Sequence, residues 1–183
     1  MSLTLELLRH GETIRGRCYL GRTDAPLNER GWQQMHEGLS QRSADQYDAI
    51  ISSPRSRCLD FARAWADDDR LSIEPRIAEY DFGEWDGMTG EELYERYPQA
   101  LSRFWSDPWR YPPPGAESMP AFFTRLESCL DDLKRMYTGR VLLICHGGVI
   151  CVMRSLIERL PREQLFECMP KHGSLHLFED IDQ

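Results

Sequence analysis

Residues 7–13 read LLRHGET, an apolar run that ends abruptly in an arginine and a histidine. A guanidinium beside an imidazole is a poor pair for a core and a good pair for an anion held between them. Two further stretches carry the same chemistry. Residues 52–57, SSPRSR, place Arg55 and Arg57 just after a short apolar run. Residues 142–148, LLICHGG, end another apolar run in His146, followed by Gly147 and Gly148. Arginine forks match phosphate oxygens two at a time and neutralise their charge. A neutral imidazole nitrogen can attack phosphorus, and the covalent phosphohistidine splits one hard displacement into two easier ones. Two histidines and at least two arginines drawn to one crevice therefore predict phosphoryl transfer, in which positioning and charge stabilisation dominate. A glycine pair opening a helix adds free backbone N–H groups and room for close approach by an anion.

These groups need a frame that brings them together. Residues 3–10, 48–52, 140–148 and 173–179 read as strands, and 71–88 as a strand followed by a loop. Helices are expected over 29–42 behind an Asn28 cap, over 55–68, from Thr89, over 119–137 behind Ser118, and over 149–160. In the longest of these, Phe122, Leu126, Cys129, Leu130, Leu133 and Tyr137 share one face. Strands alternating with helices predict an α/β fold, a three-layer α/β/α sandwich with a mostly parallel central sheet. In such sheets ligands bind beyond the carboxyl ends of the strands, where Arg9, His10, Arg55, Arg57 and His146 would lie. The 183 residues suit a single domain. One stretch departs from the alternation. An aromatic and proline-rich segment at about 86–117 holds Trp105, Trp109 and Tyr111, and reads as a lid-like insertion. Its rings either pack the segment onto the domain or stack on an aromatic leaving group.

Composition narrows the partners. Thirty acidic against 22 basic residues give a net charge of −8, which argues against nucleic acid or an anionic membrane as partner. A small-molecule phosphate ester remains the natural ligand. The N-terminal residues lack the pattern of a secretory leader, so a cytoplasmic location is expected. The six cysteines, Cys168 among them, are expected as reduced thiols rather than staples. Zinc is not expected, because zinc-type ligand spacings are missing from the sequence.

LLRHGET resembles the signature of the histidine phosphatase superfamily, which includes the phosphoglycerate mutases. YLGRTDAPLNERG, SSPRSRC, EYDFGEWDGMT and LLICHGGVI follow in the order that family uses, so the resemblance spans nearly the whole chain. It implies the phosphoglycerate mutase-like fold, His10 as the phosphorylated nucleophile, and Arg9, Arg57, His146 and Gly147 around the phosphoryl group. Arg57 takes that role rather than Arg55 because the family arginine follows the proline of SSP by three residues. Glu79 matches the residue that gives a proton to the leaving oxygen and then takes one from water, a scheme that implies no metal or organic cofactor. Where many members have an asparagine, this chain has Gly16, so Arg15, Arg17 or Thr23 is expected to compensate. Within the family the motifs are most similar to α-ribazole phosphatases. That likeness implies hydrolysis of α-ribazole 5′-phosphate in cobalamin nucleotide-loop assembly, with Thr23, Trp105 and Trp109 as candidate substrate contacts. The alternatives are a broad-specificity phosphatase, a mutase, or an idle phosphoester-binding scaffold. The acidic ending HLFEDIDQ is not expected to supply the closing tail of a mutase, and the full set of site residues argues against the scaffold.

Overall fold

The computed structural model describes residues 2–181 except 67 and 168, with only the backbone at 68; Cys168 therefore lies outside the described residues. The strands are β1 (Leu3–Arg9), β2 (Ala49–Ser52), β3 (Leu71–Ile73), β4 (Arg140–Cys145) and β5 (Leu175–Ile181). They form one sheet in the order β3-β2-β4-β1-β5. β1 to β4 run parallel and β5 lies antiparallel along β1. The helices are α1 (Glu29–Gly38), α2 (Ser56–Trp65), α3 (Gly90–Arg96), α4 (Pro98–Ser106), α5 (Met119–Met136) and α6 (Gly147–Glu158).

The period-2 geometry of a strand explains how one sheet makes two cores. Leu3, Leu5 and Leu7 of β1, with Val141, Leu143 and Cys145 of β4, face α5 and α6. Leu8, Leu142 and Ile144 face the other way, onto Met35 of α1 and Phe61 of α2. Burial on both faces is why these strands read as nearly continuous apolar runs. β1 also carries a charge into this frame, Glu6, which is fully buried. Arg42 and Arg140 pair with it at 2.9 and 2.7 Å, and the Tyr47 hydroxyl donates to it. Burial pushes its carboxyl up, and the bonds from Arg42 and Tyr47 with the two arginine charges outweigh burial, so its pKa lies below the ordinary value.

The expected caps form: Asn28 accepts from Gly31 N, Ser118 from Ala121 N, and Thr89 makes a capping box with Glu92. The largest shift of an expected boundary is in α1. α1 ends at Gly38 rather than at 42, where its backbone comes so close to the Gly173 carbonyl that a Cβ would lie 2.1 Å away. The aromatic segment carries α3 and α4. Pro98 sits in the first turn of α4, where its missing N–H costs nothing, and Phe104 on that helix is buried with the α5/α6 core.

Candidate active site

Arg9 is the last residue of β1 and pairs with Cys145, the last of β4, so the residues after these two strands start from the same edge. His10 then bonds back to the Cys145 carbonyl through its amide, at 2.9 Å. Its ring Nδ1 lies 2.8 Å from the Gly11 carbonyl oxygen. A carbonyl only accepts, so Nδ1 carries the proton and Nε2 keeps its lone pair. Burial, then the charges of Arg57 and Arg9, hold His10 well below the ordinary histidine pKa of 6.5. A buried, neutral imidazole with a fixed tautomer is the form a nucleophile needs.

The His146 ring stands edge-on to His10, with centroids 5.2 Å apart. Arg57 Nε donates to its Nδ1 at 3.3 Å, so the ring proton is on Nε2, which lies 2.7 Å from Ser53 Oγ. Burial and the Arg57 charge keep this ring neutral too. Arg57 is itself fully buried. Its Nη groups donate to the carbonyls of Leu20 (2.8 Å) and Thr23 (3.1 Å), and Asp24 lies 3.7 Å from Nη1. Arg9 donates through Nη1 to the Pro170 carbonyl and keeps Nε buried with no acceptor among the described residues. A phosphoryl oxygen would supply one.

Glu79 approaches from the opposite side. Its Oε2 accepts from the Gly148 amide at 3.1 Å and its Oε1 from the Tyr80 amide at 2.9 Å. The carboxyl group thus caps an orphan N–H in the first turn of α6. Gly148 makes the contact possible, because a Cβ there would lie 2.5 Å from Glu79 Oε1. At Gly147 a Cβ would lie 3.2 Å from the Arg9 guanidinium.

Above these groups opens a cavity of about 750 Å³ lined by Arg9, His10, Glu79, Gly147 and Gly148. One wall is aromatic: Tyr19, Tyr80, Phe82, Phe104, Trp105, Phe122 and Phe166. Trp105 Nε1 donates to the Tyr19 hydroxyl at 3.1 Å, and its ring packs edge-on against Phe166 at 5.3 Å. Arg17, Arg30, Lys171 and His172 also line the cavity. The His172 ring lies 5.5 Å from His10, and burial with the Arg9 charge lowers it to about 4.

The structure therefore brings together Arg9, His10, Arg57, Glu79, His146 and Gly147. Trp105 joins the cavity, but Arg57, His146, Thr23 and Trp109 are not among its lining residues. Thr23 offers its carbonyl to Arg57 and its amide to Asp86 at 2.6 Å. Trp109 packs on Phe123 beneath the Arg162 guanidinium. Gly16 lines the cavity at φ +66°. Of its expected substitutes, Arg17 also lines the cavity, whereas Arg15 bonds to the Gly87 carbonyl at 3.3 Å. Sequence reasoning passed over Ser53, Asp24 and Asp86. Asp24 also accepts from the Ser56 amide at 3.0 Å, and so caps α2 from 32 residues away. Only the serine before Pro54 and the Thr23-Asp24 turn hint at such roles locally.

Residues 5–181 match the model of the histidine phosphatase superfamily, branch 1. The chain belongs to this superfamily and is an enzyme, a histidine phosphatase. It is 34% identical over 148 residues to phosphoserine phosphatase 1 of Hydrogenobacter thermophilus, covering 78% of this chain and 70% of that one. With a 2,3-bisphosphoglycerate-dependent phosphoglycerate mutase of Rhizobium etli it shares 29% identity, covering 86% of this chain and 81% of the relative. The crystal structure of the α-ribazole phosphatase from Shigella flexneri superposes with a TM-score of 0.78 at 26% identity, covering 95% and 89% of the two chains.

Proposed function

We propose that the protein hydrolyses the phosphate monoester of a small molecule carrying a planar aromatic group, with α-ribazole 5′-phosphate as the substrate of that type. The observation that carries this reading is the set of aromatic side chains that line the same cavity as His10. His10 Nε2 attacks phosphorus as the ester P–O bond breaks, and Glu79 gives its proton to the leaving oxygen. Water then attacks the phosphohistidine, Glu79 takes the water's proton, and phosphate departs with the lone pair restored to Nε2. Arg9, Arg57 and the α6 N-terminus balance the charge on the equatorial oxygens. His146, neutral and anchored by Ser53 and Arg57, packs the pocket wall beside His10. Flat heterocycles stack on Tyr19, Phe82 or Trp105 without needing a charged partner. The likeness to an α-ribazole phosphatase supports this substrate.

A second reading has its own observation. Arg17, Arg30 and Lys171, which line the same cavity, suit a carboxylate, as in phosphoserine, and the 34% identical relative bears that name. The deciding measurement is kcat/KM for α-ribazole 5′-phosphate, phosphoserine, 3-phosphoglycerate and p-nitrophenyl phosphate side by side. A preference of about a hundredfold for the first, roughly 2.7 kcal/mol in the transition state, is the expected result. A comparable preference for phosphoserine overturns the aromatic reading in favour of the second.

A further inference from the structure

Glu79 sits on irregular chain. After β3 the backbone makes a single 3-10 turn, Pro75–Ile77, and then runs through Glu79 without a strand or helix to hold it. Carbonyls on such a stretch have no ladder partner and need another donor. One side chain on α5 supplies it. Arg125 Nη1 donates to the carbonyls of Arg76 and Ala78, the latter at 2.8 Å, and Nη2 donates to the Glu79 carbonyl at 3.1 Å. The same guanidinium grips Glu117 as a fork, Nη2 to Oε1 at 2.7 Å and Nε to Oε2 at 3.1 Å. Glu117 reaches back to the loop beyond Glu79. Its Oε1 accepts from the Asp81 amide at 2.9 Å, and its carbonyl accepts from the Tyr80 hydroxyl at 2.6 Å. The backbone is thus held immediately before, at and two residues after Glu79 by one ion pair.

We propose that the Arg125–Glu117 pair is a positioning device for Glu79. It sets the backbone from which the carboxylate reaches the Gly148 amide at the edge of the cavity, and so aims the proton at the leaving oxygen. Glu117 closes the aromatic segment, so the pair also ties that segment to the acid. The inference rests on Glu79 being the proton donor. An arginine that only satisfied loop carbonyls would stabilise the fold and leave the chemistry of every ester equally affected.

The test is the dependence of kcat/KM on the leaving group. p-Nitrophenolate departs without help, whereas an alkoxide needs the proton. The ratio of kcat/KM for p-nitrophenyl phosphate to that for butyl phosphate is measured in the wild type and in Glu79→Gln, Arg125→Lys and Glu117→Gln, with a melting curve for each. In Glu79→Gln the ratio rises by about a hundredfold. In Arg125→Lys and Glu117→Gln it rises by about tenfold, with KM for p-nitrophenyl phosphate near wild type, because a displaced acid costs rate rather than phosphate binding. An unchanged ratio in both folded variants, beside a raised ratio in Glu79→Gln, overturns the positioning role and leaves the acid assignment standing. An unchanged ratio in Glu79→Gln overturns the acid assignment and the positioning role with it. Should Arg125→Lys fail to fold, Glu117→Gln, which keeps the arginine's bonds to the carbonyls, decides alone.

Discussion

The Nδ1–H bond from His10 to the Gly11 carbonyl determines which nitrogen can act. Replacing His10 with Ala is expected to cut kcat by about 10⁴-fold or more while Arg9 and Arg57 keep the ester bound. Rapid quenching with a radiolabelled ester should leave label on the wild-type protein and none on the variant. The same burial makes a stability prediction. His10 and His146 are neutral in the fold, with pKa values well below 6.5. The unfolded chain binds their protons from about pH 6.5 downwards and the folded chain does not. Stability therefore rises with pH through that window and falls on acidification, by about 1.4 kcal/mol per pH unit for each group. Glu6, whose carboxyl is depressed below 4.5, adds a further loss in the same direction at lower pH. Urea midpoints at about pH 7.5 and about pH 5.5 measure the histidine part; equal midpoints would contradict two buried neutral rings.

At the scale of elements, the site depends on backbones that touch. A Cβ on Gly31 of α1 would lie 2.0 Å from the Glu12 carbonyl oxygen, and one on Gly11 would lie 2.1 Å from that of Gly31. Neither backbone can step aside without moving the loop that carries His10. Gly31→Ala is expected to destabilise by about 3 kcal/mol or more, read from the urea midpoint. Gly148→Ala meets a different obstacle, the flexible carboxylate of Glu79. That variant should melt at or above the wild-type temperature, since Ala favours the helix by up to about 1 kcal/mol. Its kcat/KM for alkyl phosphates should nevertheless fall about tenfold or more as Glu79 is pushed from its place. A lower melting temperature with unchanged alkyl-ester turnover would overturn that account.

On the scale of the molecule, one cavity gathers His10, aromatic side chains and basic side chains. Trp105 is 43% exposed, so it can be changed with little harm to the core. Trp105→Leu is expected to raise KM for α-ribazole 5′-phosphate about tenfold, near 1.4 kcal/mol of lost stacking, and to leave phosphoserine unaffected. An unchanged KM in a normally melting variant would remove the aromatic wall from substrate recognition.

Local chemistry by itself determined the elements and singled out the arginines and histidines at the strand ends. The apolar runs ending in Arg9-His10 and Cys145-His146, the caps at Asn28, Thr89 and Ser118, and the alternation of strand with helix are short-range signals. A cap or a buried strand is decided by residues within a turn of it. The family motifs added Arg57 and Glu79. Tertiary structure alone decided the rest, because each case joins residues far apart in the chain. Ser53 meets His146 across 93 positions, and Arg125 reaches Glu79 across 46. Trp105 lines the cavity while Trp109 packs against α5, a difference that composition cannot express because both rings are equally apolar. Where the sheet order β3-β2-β4-β1-β5 places each strand end determines which of the charged side chains can share one anion.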